Sequence, residues 1–225
     1  MARWAIGDVH GCARTLDALL ARLDAGPDDE LVFVGDYVDR GPDSFSVIER
    51  VLRLQADADA GRGPRIVALR GNHDQMMLDH IDDTGHYELW RANGGLTTLD
   101  SYARAGHTQI PDAHVAFLRA TMLVYDTPEA VYVHAGLDSR RSVAEQIADP
   151  DPDTVMWTRD HLNVPHDAWE KPVVCGHTPV PEPIDQPRLI DVDTGAVFAG
   201  RRPDLGWLTA VEMPNRRFVS VPYSG

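Results

Sequence analysis

Five short apolar segments of this chain each run into a cluster of Asp, His or Asn side chains beside a glycine. The segments cover residues 4–6, 31–34, 66–69, 131–133 and 173–175. The polar clusters that follow them are GDVHG at 7–11, GDYVDRG at 35–41, GNHD at 71–74, HAG at 134–136 and GHT at 176–178. Short β-branched runs bounded by glycine or Asp are typical of strands. In an open α/β sheet, sites form outside the carboxyl ends of the strands. The pattern therefore predicts an α/β fold with one shared site at these strand ends.

Helical patterns separate the first three predicted strands. Apolar residues at 16, 19, 20 and 23, and again at 47, 48, 51 and 52, have helical spacing. This strand–helix alternation favours parallel pairing with right-handed crossovers. No helix separates the predicted strands at 189–192, 207–212 and 217–221, so we expect them to pair antiparallel. Segments 57–63 and 179–187 are predicted loops. The 225 residues are predicted to form a single domain, 1–225, with a mainly helical insertion at about 75–120.

The composition limits the kinds of partner that this chain can bind. The net charge is −14, from 21 basic and 35 acidic residues, which suits a long nucleic-acid backbone poorly because that affinity comes mostly from Lys and Arg. No apolar run is long enough for a membrane span, and the N-terminus lacks a signal-peptide pattern. Cys12 and Cys175 cannot make a disulfide framework. We therefore expect a cytoplasmic protein in a reducing compartment, without nucleic-acid or membrane partners.

The polar clusters suit a two-metal centre. Carboxylate, imidazole and amide oxygen ligands favour Mn²⁺, Fe or Zn²⁺. A shared carboxylate can bridge two ions about 3.5–4 Å apart, and such ions make hydroxide available near neutral pH. Each Asp or Asn taken alone could equally be a turn or cap residue. Catalysis on phosphate esters by a nucleophilic cysteine needs an Arg six positions after that cysteine. The residues six positions after Cys12 and Cys175 are Ala18 and Pro181, so neither cysteine fits this chemistry.

The motifs GDVHG, GDYVDRG and GNHD, in this order, resemble the phosphoprotein phosphatase branch of the calcineurin-like metallophosphoesterases. The later segments HAGL at 134–137, MWTRD at 156–160, CGHTPV at 175–180 and DTGAVFAG at 193–200 agree with this resemblance, which spans nearly the whole chain. The chain is most similar to the small bacterial and phage serine/threonine phosphatases of that branch. The resemblance implies a mixed two-sheet β-sandwich flanked by helices, with the site at the carboxyl ends of strands.

The resemblance also implies roles for individual residues. Two divalent ions, Mn²⁺ in vitro with Fe or Zn²⁺ as alternatives, would be held by Asp8, His10, Asp36, Asn72, His134 and His177. Among these, Asp36 would bridge the ions. Arg40 and Arg159 would bind the phosphate, His73 would protonate the leaving oxygen, and Asp39 would orient His73. At Asp74 the family more often has Glu; because that position is not a metal ligand in the family, we expect little effect.

The expected function is a phosphomonoesterase that attacks phosphorus with a metal-bridging hydroxide, most simply a serine/threonine protein phosphatase acting on a phosphorylated protein or peptide or a small phosphoester. The alternatives are a diadenosine-tetraphosphate hydrolase or another nucleotide or RNA-end phosphatase, and a non-catalytic scaffold of the same fold. The sequence does not indicate an oligomeric state.

Two further groups of residues can be explained without a catalytic role. Trp90 with the glycines at 94 and 95 could cap the site, or could mark a helix end with a glycine stop. The remaining histidines are predicted surface or loop residues: His80, His86, His107, His114, His161 and His166.

Overall fold

Two mixed five-stranded sheets form the centre of the protein in this computed structural model, which describes residues 1–84 and 87–225. The first sheet has the order β10-β9-β1-β2-β3, and its strands are β1 Arg3–Ile6, β2 Glu30–Phe33, β3 Arg65–Ala68, β9 Trp207–Met213 and β10 Arg217–Pro222. The second has the order β4-β5-β6-β8-β7, and its strands are β4 Val124–Asp126, β5 Val131–Val133, β6 Val173–Cys175, β7 Ile184–Asp185 and β8 Leu189–Asp191. In the first sheet β1, β2 and β3 run parallel, and in the second β5, β6 and β8 do.

Helices cover the outer faces of both sheets. They are α1 Ala13–Leu23, α2 Ser44–Asp59, α3 Asn72–Ile81, α4 Tyr87–Trp90, α5 Leu96–Arg104, α6 Asp112–Ala120, α7 Val143–Ala148 and α8 Pro152–Trp157. The segment Arg91–Gly95 joins α4 to α5 through a kink at Gly94, and short 3₁₀ turns occupy Asp160–Asn163 and Ala196–Phe198. None of the helices in the described ranges is long and apolar enough to cross a membrane.

Three apolar clusters define the layers. Side chains from both sheets, among them Val32, Val67, Val174 and Ile190, pack together in the middle. A larger cluster lies between the first sheet and α1, α2, α3 and α6, and a third between the second sheet and α7 and α8. Each sheet buries both faces, which explains why its parallel strands are continuous apolar runs rather than alternating ones. The predicted α/β fold with a two-sheet mixed sandwich flanked by helices is confirmed.

Several local predictions were wrong. The segment at 189–192 does not join the last two strands, because β8 lies in the second sheet, parallel to β6 and antiparallel to β7. The chain then crosses to the first sheet, where only β9 and β10 form the predicted antiparallel pair. Helix α2 continues through residues 57–59, and β7 forms inside the predicted loop at 179–187. Strand β4, which pairs antiparallel with β5, was not predicted.

Three of the histidines predicted on the surface or in loops have buried side chains: His114, His161 and His166. His107 is exposed and His80 half-buried, while His86 lies outside the described residues. The contacts of the buried rings explain the difference. His114 lies between the Tyr102 hydroxyl at 2.8 Å and the Glu49 carboxylate at 3.0 Å, and the ring of His166 stacks on Trp169. The partners of His114 come from α5 and α2, so its position in the sequence does not reveal them, whereas Trp169 lies only three positions after His166.

Candidate metal centre

The six candidate metal ligands lie at the carboxyl ends of strands from both sheets. Asp8 and His10 follow β1, Asp36 follows β2, and Asn72 is the first residue of α3, just beyond β3. His134 and His177 follow β5 and β6 of the second sheet. All six side chains are buried, with at most 5% of their surface exposed. The parallel strands therefore deliver these groups to one end of the sandwich, where the two sheets meet.

One set of ligand atoms surrounds the side-chain oxygen of Asn72. Its side-chain oxygen lies 3.0 Å from Nε2 of His134 and 3.0 Å from Nδ1 of His177. Oδ1 of Asp36 lies 3.5 Å from the same His134 nitrogen. The Nδ1–H of His134 donates to the carbonyl of Val34 at 2.9 Å, which fixes the tautomer and leaves Nε2 with its lone pair toward Asn72. An oxygen, two imidazole nitrogens and a carboxylate thus converge as a divalent cation requires.

A second set forms around His10. Its Nδ1–H donates to the carbonyl of Val38 at 2.7 Å, and its Nε2 lies 3.3 Å from Oδ2 of Asp36. Asp36 therefore offers one oxygen to each set, as a bridging carboxylate would. The compact group of ligand atoms around His10 includes His73 rather than Asp8. The carboxylate of Asp8 instead accepts the amide of His177 at 3.1 and 3.2 Å.

The predicted phosphate-binding arginines differ in their surroundings. Arg40 is half-buried; its guanidinium lies 5.6 Å from the Phe198 ring and donates to Nε2 of His10 at 2.6 Å. The same nitrogen cannot accept from Arg40 and bind a cation at once, so metal binding at His10 requires the Arg40 guanidinium to leave this nitrogen. Arg159 is exposed at the rim, where its charge contributes to a lowered pKa of His177.

The electrostatics of the centre favour a cation. Burial lowers the pKa values of His10, His134 and His177, so these imidazoles are neutral, which is the form that binds metal. Burial also raises the pKa of Asp8 well above its usual range, together with the charges of the neighbouring Asp193 and Asp36. Buried carboxylates this close to one another are costly without a positive partner, and a bound divalent ion would supply it.

The backbone is strained at the same positions. Left-handed φ angles occur at His10 (43°), Asp36 (55°), Asp39 (71°), Arg40 (66°) and His177 (70°). Non-glycine residues in this region cost about 1–3 kcal/mol each and persist where surrounding contacts hold them. Five such residues in one cluster mark it as a functional site.

Two glycines are required by close approach. A Cβ atom on Gly71 would lie 2.0 Å from Oδ1 of Asp36, and one on Gly176 would lie 2.3 Å from Oδ1 of Asp8. Any side chain at these positions would push a carboxylate out of the centre. The glycines of the polar clusters in the sequence are therefore part of the site's geometry.

Next to the ligands, His73 and Asp39 form a buried pair. Nδ1 of His73 lies 2.7 Å from Oδ2 of Asp39, while its amide donates to Oδ1 of Asp36 at 3.0 Å. Nε2 of His73 is buried and has no hydrogen-bond partner in the described part of the chain. Burial raises the pKa of Asp39, and the hydrogen bond from His73 opposes that shift. This geometry presents one imidazole nitrogen to the centre, where it could exchange a proton with a bound ligand.

Sequence reasoning missed the residues that hold these groups. The carboxylate of Asp74 accepts three backbone amides from the turns that carry Asp36 and Asn72. Trp90 and Thr98 donate to Asp39 from the predicted helical insertion. The interpretation of a helix end with a glycine stop is confirmed, because Gly94 has a left-handed φ of 104° that kinks the chain between α4 and α5. Only the contact of Trp90 with the site had been anticipated, as a possible cap.

A two-sheet α/β sandwich with a buried His, Asp and Asn cluster at its strand ends defines a metal-dependent phosphoesterase. The sequence model of the calcineurin-like phosphoesterase family matches residues 1–196, and the chain belongs to this family.

Curated relatives cover most of the chain. Serine/threonine-protein phosphatase 1 of Salmonella typhimurium is 30% identical over 211 residues, covering 88% of each chain. The asymmetrical bis(5'-nucleosyl)-tetraphosphatase PrpE of Bacillus thuringiensis is 31% identical over 254 residues, covering 97% of this chain and 93% of the relative. Among solved structures, that of a candidate diadenosine tetraphosphatase superposes with a TM-score of 0.70 at 24% identity, covering 100% of this chain and 94% of the other. The chain is therefore a phosphoesterase, a hydrolase.

Proposed function

We propose that this protein is a dinuclear-metal phosphomonoesterase that acts on phosphoserine and phosphothreonine in proteins or peptides. The observation that carries the proposal is the buried Asp39–His73 pair beside the two ligand sets, with a 2.7 Å contact and Nε2 of His73 toward the centre. A positioned acid is most useful where the leaving group is a poor one, such as the alkoxide of serine. The relative named as a serine/threonine-protein phosphatase supports the same substrate class.

The proposed metal ligands belong to the two sets around Asn72 and His10, with Asp8 added to the second. Asp36, Asn72, His134 and His177 would hold one ion, and His10 and Asp36 would hold the other together with Asp8, whose carboxylate accepts the His177 amide in this structure. The neutral imidazoles and the clustered carboxylates fit Mn²⁺, with Fe or Zn²⁺ as alternatives. When bound, such ions supply an activated water near neutral pH and neutralise the phosphoryl oxygens.

The protein's own side chains would carry the remaining steps. His73 would give its Nε2 proton to the leaving oxygen, and Asp39 would keep the ring oriented through Nδ1. Arg40 and Arg159 would hold phosphoryl oxygens with their guanidinium groups. Arg40 already stands at the edge of the centre, beside His10 and over Phe198. Arg159 would close on the phosphate from the exposed rim.

A second candidate is the hydrolysis of dinucleoside tetraphosphates, favoured by the 31% identical relative that is named for it. We expect the phosphomonoesterase activity to exceed the tetraphosphatase activity, because a nucleotide leaving group needs less help from an acid such as His73 than a serine alkoxide does.

We also propose that the helical segment at about 75–120 belongs to the same single domain, since Trp90 and Thr98 contact Asp39. The cytoplasmic location remains a proposal, resting on the two unpaired cysteines.

The test is a side-by-side assay of three substrates with the purified full chain. A phosphoserine peptide, diadenosine tetraphosphate and p-nitrophenyl phosphate are each offered after metal removal by chelation and again after addition of Mn²⁺. We expect metal-dependent turnover, with kcat/KM highest for the phosphopeptide. Higher kcat/KM for diadenosine tetraphosphate would favour the second candidate. No metal-dependent turnover of any of the three would contradict an enzymatic role.

A further inference from the structure

The carboxylate of Asp39 is held by the segment 87–104 as well as by His73. The indole Nε1–H of Trp90 lies 3.0 and 2.9 Å from the two carboxylate oxygens. The hydroxyl of Thr98 donates to Oδ1 at 2.8 Å and accepts the Asp39 amide at 2.9 Å. Asp39 is fully buried, so no water replaces these donors. Together with His73 on Oδ2, three separate groups fix the plane of this carboxylate.

Two glycines allow this segment to approach so closely. A Cβ on Gly95 would lie 2.5 Å from the Trp90 ring, so the indole rests directly on the glycine backbone. Gly94 has a φ of +104°, and a Cβ there would lie 2.7 Å from the amide nitrogen of Arg40. The carbonyl of Gly94 accepts that amide at 3.5 Å. The glycine pair therefore allows contact with the 39–40 turn as well as the kink that separates the two helices.

We propose that Trp90 and Thr98 are positioning residues that hold the Asp39 carboxylate in the plane that His73 needs, so that the segment 87–104 determines the efficiency of proton donation. The inference rests on the proposed function, in which His73 is the acid. Asp39 and Arg40 both have left-handed backbone angles, a conformation that reverts unless neighbouring contacts hold it. Without the indole and hydroxyl donors, the carboxylate can rotate away from Nδ1 of His73. The imidazole then loses its orientation, and proton donation slows.

Such a positioning role predicts a loss that depends on the leaving group. Trp90→Phe keeps an aromatic ring on Gly95 but removes the donor, and Thr98→Val removes the hydroxyl at nearly constant volume. With the Mn²⁺-loaded full chain, each variant should lower kcat for a phosphoserine peptide by about tenfold, the scale of one hydrogen bond to a charged group. For p-nitrophenyl phosphate, the loss should stay below about threefold, because that leaving group needs little protonation. KM and the bound metal content should not change.

Trp169 provides a matched control. It is as buried as Trp90, and its indole donates to the carbonyl of Asp138 at 3.1 Å, away from the ligands. Trp169→Phe should affect both substrates equally. Equal losses on both substrates in Trp90→Phe and Thr98→Val, alongside a selective loss in His73→Asn, would overturn the positioning role. Equal losses on both substrates in His73→Asn would instead count against His73 as the acid. In that case, the contact between Trp90 and Asp39 would be tested by NMR alone.

The contact between the Trp90 indole and the Asp39 carboxylate can also be measured by NMR, without any catalytic turnover. The chain has five Trp residues, so an ¹H–¹⁵N spectrum contains at most five indole signals. The signal of Trp90 is the one lost in Trp90→Phe. We expect it to move upfield in Asp39→Asn, because a charged acceptor is replaced by a neutral one. It should stay in place in Trp169→Phe. An unmoved Trp90 signal in a folded Asp39→Asn variant would overturn the inference, even if the protein proved inactive.

Discussion

Replacing Asp74 should loosen the two turns that carry Asp36 and Asn72. The Asp74 side chain is fully buried, and its Oδ2 accepts the amides of Asp36 at 2.8 Å and Gly71 at 2.9 Å. Its Oδ1 accepts the amide of Tyr37 at 3.0 Å. One carboxylate therefore satisfies three buried backbone donors from two different strand ends. The sequence suggested that Asp in place of Glu at this position has little effect, and these contacts give the carboxylate itself a central structural role.

The magnitude follows from the number of donors left without an acceptor. Asp74→Asn can place its oxygen at the Oδ2 position and lose only the Tyr37 bond, at about 1–3 kcal/mol. Asp74→Ala removes all three acceptors and should reduce the free energy of unfolding by about 3 kcal/mol or more, even if water enters partly. The expected order of stability is therefore wild type, then Asn, then Ala.

Urea denaturation of the metal-free protein measures this series, with the slope m checked for constancy. The matched control is Asp79→Asn, which makes the same chemical change on the same helix at a carboxylate to which, within residues 1–84 and 87–225, only the Gln75 side chain donates. That control should stay within about 0.5 kcal/mol of wild type. Loss of less than about 1 kcal/mol in Asp74→Ala, or equal effects of Asn and Ala, would refute the reasoning. Bound Mn²⁺ per chain should fall in the same order as stability.

Three further perturbations follow from the contacts. His73→Asn should lower kcat for a phosphoserine peptide by about 100-fold and for p-nitrophenyl phosphate far less; steady-state kinetics showing equal losses would contradict an acid role. Burial lowers the pKa of His161 to about 4 from 6.5, so its contribution to stability is complete above pH 6.5 and is lost as pH falls toward 4. That loss amounts to about 3 kcal/mol and should be absent in His161→Gln, as urea unfolding at several pH values would show; equal pH slopes would contradict it. Glu30→Gln should cost about 2–4 kcal/mol in the same assay, because it removes the buried charge that pairs with Arg3 and leaves the exposed Glu129 as the carboxylate partner of Arg3 among the described residues; a cost below about 1 kcal/mol would contradict that.

The positions of the candidate ligands could be predicted because they depend on local pattern and on one topological rule. Each ligand directly follows an apolar strand, and parallel strands end at the same edge. Asp8, Asp36 and Asn72 required only that β1, β2 and β3 be parallel, which the helices between them indicated. His134 and His177 belong to the second sheet, and residue pattern alone does not show that two sheets share an edge.

What the sequence could not reveal depends on contacts between distant segments. The bonds from Trp90 and Thr98 to Asp39 span 51 and 59 positions, and nothing in the local pattern of a tryptophan and a threonine marks them as donors to a carboxylate. The strand at 189–192 has the same difficulty. Its apolar residues indicate burial, but its partner β6 is chosen by the packing of the second sheet, and the short β7 pairs with its other edge.

The centre also joins the two sheets chemically. The Nδ1–H of His134, on the second sheet, donates to the carbonyl of Val34 on the first, and the amide of His177 donates to Asp8. The ligand atoms therefore reach their positions only when the sandwich is packed, and a cation held between them would favour the packed state over any state in which the sheets separate. Binding that is restricted to the folded state raises stability by RT ln(1 + [L]/Kd), about 2.7 kcal/mol at a free concentration 100 times Kd. Because His10, His134 and His177 bind a cation only when unprotonated, and burial lowers their pKa values, this added stability should persist as pH falls through the ordinary imidazole range and decline only at lower pH, while the packing of Val32, Val67 and Val174 between the sheets should not depend on pH.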